Sequence, residues 1–249
     1  MGDLDELHGM ARAALKMPET RYLRHLRSRL SLHNYQRIAD DIVRHLPRGR
    51  LLDWGAGYGQ MSFLLRRRGL QVIGFDYNPQ RRGVAVGTTA LDQGVPLVTS
   101  DDPVWLPFQD RSFDAVLSCG VLEHVEDERK SLDEIWRVLA DDGLLLIYQL
   151  PQEWSYLEFI VRRLKLGYAH PWRYTIGGAR RLLEAHGFTM LAARRANMLP
   201  KNFTGLPQRI RLIFDLAPDA ILAIDQGLAR LPVFNLVAGV LEIVARKHA

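Results

Sequence analysis

The chain has 249 residues, of which 47% are hydrophobic and 24% charged, and a formal net charge of +5 at pH 7. Such a chain is too apolar to be intrinsically disordered and too evenly charged to be fibrous. Its length suits a single core, so we expect one domain over residues 1–249. The one cysteine, Cys119, excludes an intramolecular disulfide and favours a cytoplasmic location.

The same features argue against several other classes of protein. The N-terminal segment lacks the apolar stretch of a secretory signal, and no run approaches the ~20 apolar residues that span a bilayer. No set of cysteines and histidines has the spacing of a zinc site, so we expect no metal. The basic charge permits binding to nucleic acid, but the arginines are scattered and lack interleaved aromatic residues. A nucleic-acid partner is therefore unfavoured.

The predicted elements begin with N-terminal helices within residues 1–47, where apolar side chains recur at helical intervals until Pro47. Short apolar strands follow within the core of residues 48–195. The first opens the run LLDWGAGYG, and the next four lie at 71–76, 95–100, 113–120 and 144–150. Helical segments lie between them. This alternation predicts an α/β fold with a parallel sheet that is covered on both faces.

The order of elements changes after residue 150. Two helices are predicted at 153–169 and 175–186, then a strand at 188–195 and a last strand within 237–247. Two segments, 151–175 and 196–236, therefore interrupt the regular alternation as insertions. Long connections often form lids and binding loops, so both are predicted to cap a substrate site. Their apolar faces and arginines also permit contact with a membrane surface or with each other.

Three alternating glycines, Gly55, Gly57 and Gly59, follow the first strand and precede a helix. Glycine allows a sharp turn and lets a ligand approach the backbone, and the helix start presents unpaired amides. Asp76 ends the next strand, where a carboxylate can accept hydrogen bonds from a ribose diol. A plain tight turn and a helix cap are the simpler alternatives, but the two features together favour a nucleoside ligand.

The loop favours a cationic ligand over a dinucleotide. Gln60 stands near where the Gly-x-Gly-x-x-Gly pattern has its third glycine, so that pattern is incomplete. The carboxylate of Asp53, just before the loop, would repel a pyrophosphate but attract an ammonium group. A nicotinamide-dependent oxidoreductase is therefore the least favoured of the enzymes considered.

Three stretches together resemble the class I S-adenosylmethionine-dependent methyltransferases: LLDWGAGYGQMSFLL, VIGFDYNP, and the run from SDDPVWLPF to ADDGLLLI. The resemblance covers about residues 45–195 and the last strand. It implies a Rossmann-like, doubly wound, mostly parallel seven-stranded sheet with an antiparallel last strand and helical insertions. It also implies that the cofactor is S-adenosylmethionine.

The resemblance assigns roles to individual residues. The amino-acid end of the cofactor would be held by Asp53 and the three glycines, its ribose by Asp76 with Tyr77 beside it. The adenine amino group would be bound by Asp102, although Pro103 lacks the amide that often contacts the ring. The site beneath the sulfonium would be lined by Cys119, Gly120 and Val121.

Methyl transfer needs mainly alignment and exclusion of water, but a hydroxyl or carbon acceptor also benefits from a general base. His124 and His170 are the candidate catalytic bases, although either could be purely structural. The function expected is methyl transfer to a small, apolar or lipid-like acceptor. A catalytically silent cofactor-binding or regulatory module and a nucleic-acid methyltransferase are the alternatives. The acceptor and the oligomeric state are not determined by the sequence.

Overall fold

The structure, a computed structural model, describes residues 2–14, 26, 28–77, 94–165, 170, 172–201 and 214–248. The helices are α1 (Asp3–Ala14), α2 (Arg29–His45), α3 (Gln60–Arg67), α4 (Glu128–Val138), α5 (Tyr156–Leu164), α6 (Ile176–Ala185) and α7 (Pro218–Arg230). The strands are β1 (Arg50–Trp54), β2 (Gln71–Tyr77), β3 (Leu97–Ser100), β4 (Phe113–Cys119), β5 (Leu139–Pro151), β6 (Phe188–Ala196) and β7 (Val240–Lys247).

The seven strands form one sheet in the order β3-β2-β1-β4-β5-β7-β6. β7 is antiparallel to both of its neighbours, β5 and β6, and the remaining pairs are parallel. The predicted doubly wound sheet with an antiparallel last strand is therefore confirmed. The strand order reverses between β1 and β4, and ligands of such sheets bind in the crevice beyond the carboxyl ends at that switch point.

Different helices cover the two faces of the sheet. On one face α1, α2 and α3 pack over the strands, and Ile42 of α2 belongs to the same core as Leu51. On the other face α4 and α6 contribute Ile135 and Leu183 to the core that contains Leu52. Adjacent strand residues point to opposite faces, so Leu51 and Leu52 anchor two separate cores.

Several element bounds differ from the expectation. β5 begins at Leu139, directly after α4, because Leu139 pairs with Phe113 before the strand passes a bend at Asp142, whose φ is 60°. The helix expected at 153–169 covers Tyr156–Leu164, and Ser155 caps its first turn. Parts of the predicted N-terminal helices and of both insertions lie outside the described residues.

The second insertion contributes α7, which packs against α2. Leu222 of α7 and Leu30 of α2 are both buried in one small cluster. Asp215, just before α7, accepts a hydrogen bond from the Arg29 amide at the start of α2, at 2.9 Å. This places α2, α5 and α7 around the carboxyl end of the sheet. Among the described residues, no helix has the length and apolarity needed to cross a membrane.

Candidate functional site

Two adjoining cavities open at the carboxyl ends of the central strands. The larger has a volume of about 520 Å³ and the smaller about 260 Å³. Both are lined by Gly55, Gly120 and His124, which follow β1 and β4 on either side of the switch point. The cavities therefore occupy the position at which α/β sheets of this kind bind ligands.

The glycine loop passes between the two cavities. The amides of Gly55 and Ala56 both donate to the carbonyl of Phe75, each at 2.8 Å, which ties the loop to β2. Gly55 has φ +74°, and a Cβ there would lie 2.5 Å from a methyl carbon of Val121. Glycine is therefore required at this position for two reasons, the left-handed backbone and the close approach of Val121. Gly59 forms the N-cap of α3.

Asp76 links the loop to the smaller cavity. Its Oδ2 accepts a hydrogen bond from the Gly57 amide at 2.9 Å, and its side chain lines the cavity together with Tyr77. The cavity walls also include the aromatic residues Trp54 and Phe75. Two carboxylate residues, Asp76 and Glu126, line this mostly apolar cavity. Such a cavity suits a nucleoside, whose base is flat and whose ribose carries a diol.

Asp53 is buried where β1 meets α3. Its Oδ2 accepts a hydrogen bond from the Ser62 hydroxyl at 2.5 Å. Burial, with Asp76 nearby, raises the pKa of Asp53 to about 6, although hydrogen bonds from Ser62 oppose the rise. A buried carboxylate beneath the glycine loop provides negative charge for a cationic ligand at neutral pH.

Asp102 has a local structural role. Its Oδ1 accepts hydrogen bonds from the amides of Val104 and Trp105 at 2.8 and 2.7 Å, and these bonds lower its pKa. Pro103, and not Asp102, is among the residues that line the smaller cavity. The proposed contact between Asp102 and an adenine amino group stays a prediction.

The larger cavity extends from the glycine loop to the two insertions. Cys119 and Gly120 line it at the sheet, and five of its polar side chains come from β5, α5 and the segments after α5 and β6. These residues are Gln149, Glu158, His170, Asn197 and Lys201. Gln149 and Asn197 have φ values of 62° and 60°, and the side-chain amide (Nδ2) of Asn197 donates to Oε1 of Gln149 at 2.8 Å. Such left-handed backbone at non-glycine residues is typical of functional sites.

The two histidines predicted as candidate bases lie close together in the larger cavity. The rings of His124 and His170 lie 5.4 Å apart, centroid to centroid. Nδ1 of His170 lies 2.7 Å from Oε1 of Glu158, and the His170 amide donates to the other oxygen of the same carboxylate. Glu123, beside His124, is almost fully buried, and burial raises its pKa to about 7.

Sequence reasoning missed the polar residues on the insertion side of the cavity. Glu123 lies inside a quoted motif but was not assigned a role, and Glu158 lies within a helix that was predicted only as amphipathic. The sequence separation of these residues from His170 gives no recognisable motif. They come close to His170 only because α5 packs against the carboxyl end of the sheet. The lining of this cavity is mixed, with polar side chains beside apolar ones such as Leu157, Leu199 and Val240.

Comparisons with known proteins agree with this architecture. Residues 52–147 match the family model described as a methyltransferase domain. A demethylmenaquinone methyltransferase of Deinococcus radiodurans is 33% identical over 135 residues, which are 53% of this chain and 56% of the relative. A ubiquinone biosynthesis O-methyltransferase of Rhodopseudomonas palustris is 27% identical over 175 residues, covering 67% of each chain. The chain spans about half the length of the demethylmenaquinone methyltransferases that it matches.

A solved structure extends the likeness to nearly the whole fold. A SAM-dependent methyltransferase from Thermotoga maritima superposes with a TM-score of 0.61 at 17% identity, covering 97% of this chain and 99% of that one. The resemblance found in the sequence motifs is therefore confirmed. Residues 52–147 match a methyltransferase domain, and the chain has the Rossmann-like fold seen in S-adenosylmethionine-dependent methyltransferases.

Proposed function

We propose that the chain is an enzyme that transfers a methyl group from S-adenosylmethionine to a small aromatic acceptor of the quinone-precursor type. The observation that carries the proposal is the pair of adjoining cavities at the switch point, one lined like a nucleoside site and the other lined by both apolar and polar side chains. The methyltransferase domain at residues 52–147 supports the reaction class. The names of two relatives, one for demethylmenaquinone and one for ubiquinone biosynthesis, support the acceptor class.

The residues of the smaller cavity fit the cofactor. Asp76 would accept from the ribose hydroxyls, and the apolar walls would hold the adenine. The open backbone at Gly57, which lines the adjoining larger cavity, would admit the amino-acid end. Asp53 would supply negative charge near the ammonium and sulfonium groups. Asp102, Tyr77 and Val121 are retained here as proposed cofactor contacts.

When bound, the cofactor would supply an electrophilic methyl group to a nucleophilic atom of the acceptor, and the electron pair of the carbon–sulfur bond would stay on sulfur. The chain holds the acceptor in line and keeps water away, which can contribute several kcal/mol to the rate. We propose that His124 and His170 promote transfer of the acceptor hydroxyl's proton to solvent, with Glu158 orienting His170 through the 2.7 Å contact.

The size of the larger cavity favours catalysis over a silent binding module. The described residues leave about 520 Å³ beside Gly120, enough for a small aromatic acceptor next to the methyl position. Gln149 and Asn197 offer hydrogen bonds to substituents on the acceptor ring. A nucleic-acid acceptor has no comparable support, because the polar residues converge inside a cavity.

The proposal is tested by calorimetric titration of the full chain with S-adenosylmethionine, followed by transfer of labelled methyl to quinol acceptors. We expect one binding site, with affinity reduced about tenfold or more by Asp76→Ala, because a charged hydrogen-bond acceptor is lost. Asp219→Ala, at an exposed aspartate of α7, is the matched control and should bind normally. Absence of binding by the folded wild-type chain would refute the proposal.

We also propose that the chain contacts an anionic membrane surface through α5 and the residues beside it. Four large apolar side chains are exposed there: Trp154, Phe159, Leu164 and Trp172, at 69%, 68%, 62% and 62%. Exposed Arg163 and Lys165 lie among them. Exposed apolar and basic residues on and beside one helix are typical of segments that bind at lipid interfaces, where a lipid-like acceptor would be encountered.

A further inference from the structure

We propose that Glu123, His124 and His170 bind a divalent transition-metal ion in the larger cavity. Binding of the ion rests on these three side chains alone. Its role, activation of the acceptor hydroxyl, rests on the proposed function.

The three side chains converge closely enough to share one ion. One ligand atom from each lies within 4.8 Å of the other two, and Oε1 of Glu123 is 3.8 Å from Nε2 of His124. A zinc ion at ~2.0–2.1 Å from each ligand would hold the ligand atoms roughly 3.4 Å apart. Side-chain movements of about an ångström would therefore complete the site.

Glu158 supplies the second contact that metal-bound histidines usually make. With Nδ1 of His170 held by Oε1 of Glu158 at 2.7 Å, Nε2 is the nitrogen through which His170 would bind the ion. The backbone amide of His170 donates to the same carboxylate, which fixes the backbone of His170 as well as its ring. This carboxylate–histidine–metal arrangement sets the tautomer and raises the basicity of the ligand.

Glu123 gives an independent reason to place a cation here. Its side chain is 2% exposed, and within the described residues its Oε2 has no hydrogen-bond partner. A buried carboxylate oxygen without a hydrogen-bond partner is costly, and pairing with a cation or coordinating a metal removes that cost. An ion between Glu123 and the histidines would supply that partner.

The ligand set indicates the class of metal and its function. Two imidazoles and one carboxylate suit zinc, iron(II) or a similar ion better than magnesium or calcium, which prefer oxygen ligands. Three protein ligands leave a position for an outside oxygen atom. A hydroxyl bound there loses its proton to solvent more readily, and the resulting oxyanion is held beside the methyl position.

Metal binding is tested on the full chain after chelator treatment and dialysis, by titration with Co²⁺ and Zn²⁺. We expect one Co²⁺ per chain with visible absorption bands of a nitrogen-ligated ion, displaced by Zn²⁺. His170→Gln and Glu123→Gln should each weaken binding at least tenfold, and Glu158→Gln about 10- to 100-fold. His186→Gln is the matched control, since His186 pairs with Asp133 at 2.6 Å away from the cavity and should bind normally.

A second readout avoids dependence on variants that fail to fold. In the wild-type chain, Co²⁺ should broaden the imidazole NMR signals of His124 and His170 and leave those of His33 and His186 sharp. Absence of binding, or equal broadening of all histidines, would overturn the metal site. Metal binding without S-adenosylmethionine binding would instead contradict the proposed function alone, and methyl transfer at full rate in the chelated enzyme would contradict only the role of the ion.

Discussion

Asp53 destabilises the unliganded protein at neutral pH. Its pKa in the folded protein is about 6, above the ordinary value of 3.8, chiefly because of burial. A carboxyl group with a raised pKa favours folding when protonated, and this contribution is lost as pH rises through 6. The cost is consistent with a residue kept for its charge toward a bound cation.

We therefore expect Asp53→Asn to raise the free energy of unfolding at pH 7 by about 1 to 3 kcal/mol, the equivalent of a shift of up to about two pKa units. The gain should shrink as pH falls from 7 to 4.5, because the wild-type carboxyl becomes protonated in the folded protein. Denaturant unfolding of both proteins at several pH values measures this gain in the free energy of unfolding. Asp142→Asn, at an exposed turn, should show no such pH-dependent gain. A constant gain at every pH would contradict the assigned cause.

The residues of the cofactor side could be predicted because each is tied to a local pattern. The glycines and Asp76 follow predicted strands, and β1 and β2 are neighbours in the sheet, so their ends had to meet. Asp102 was also predicted from a local motif, but its Oδ1 accepts two hydrogen bonds within its own turn. A motif predicts where a carboxylate lies along the chain, but it does not predict which hydrogen-bond donors surround that carboxylate in the folded protein.

At the scale of elements, the strand-loop-helix unit from β1 to α3 depends on a backbone that few residues adopt. Gly55 and Gly69 both have positive φ, at +74° and +89°. A Cβ on Gly55 would collide with Val121, whereas a Cβ on Gly69 would meet nothing within 4 Å. The two positions therefore separate backbone strain from steric collision.

We expect Gly69→Ala to lower stability by about 1 kcal/mol, the usual cost of left-handed backbone with a side chain. Gly55→Ala should cost several times more, because Val121 cannot move without shifting the turn after β4. It should also abolish S-adenosylmethionine binding. Thermal unfolding and calorimetric titration measure the two effects. Equal losses of stability in both variants would show that the collision is relieved without consequence.

The elements of the alternating core were predictable, and those of the insertions were not. In the core, β1, β2 and β4 are short apolar strands with buried residues on both faces. Turn residues bound them, so the apolar pattern and the turn signals agree. In the insertions, amphipathic patterns predicted helices but not the neighbours that those helices would contact. The acceptor side of the site is built mostly from such contacts, which explains why Glu158 had no signal in the sequence.

At the scale of the whole molecule, the exposed face of α5 connects the larger cavity to the surface. Glu158 of α5 lines the cavity, while Phe159 and Leu164 of the same helix point to solvent. One helix would then bind the acceptor on one side and a lipid surface on the other. This arrangement shortens the path of a lipid-like acceptor, because it need not cross water.

The membrane contact predicts binding to vesicles that contain anionic phospholipid, measured by co-sedimentation of the full chain. Phe159→Ser should weaken binding about tenfold, since the burial of a large apolar side chain contributes about 1.5 to 3 kcal/mol. High salt should weaken it further by screening Arg163 and Lys165. Leu191→Ser is the matched control, because Leu191 is also exposed but lies on β6. If both serine variants lost binding equally, the contact would be a general apolar effect, and if the wild type failed to bind, α5 would serve only as a cover for the cavity.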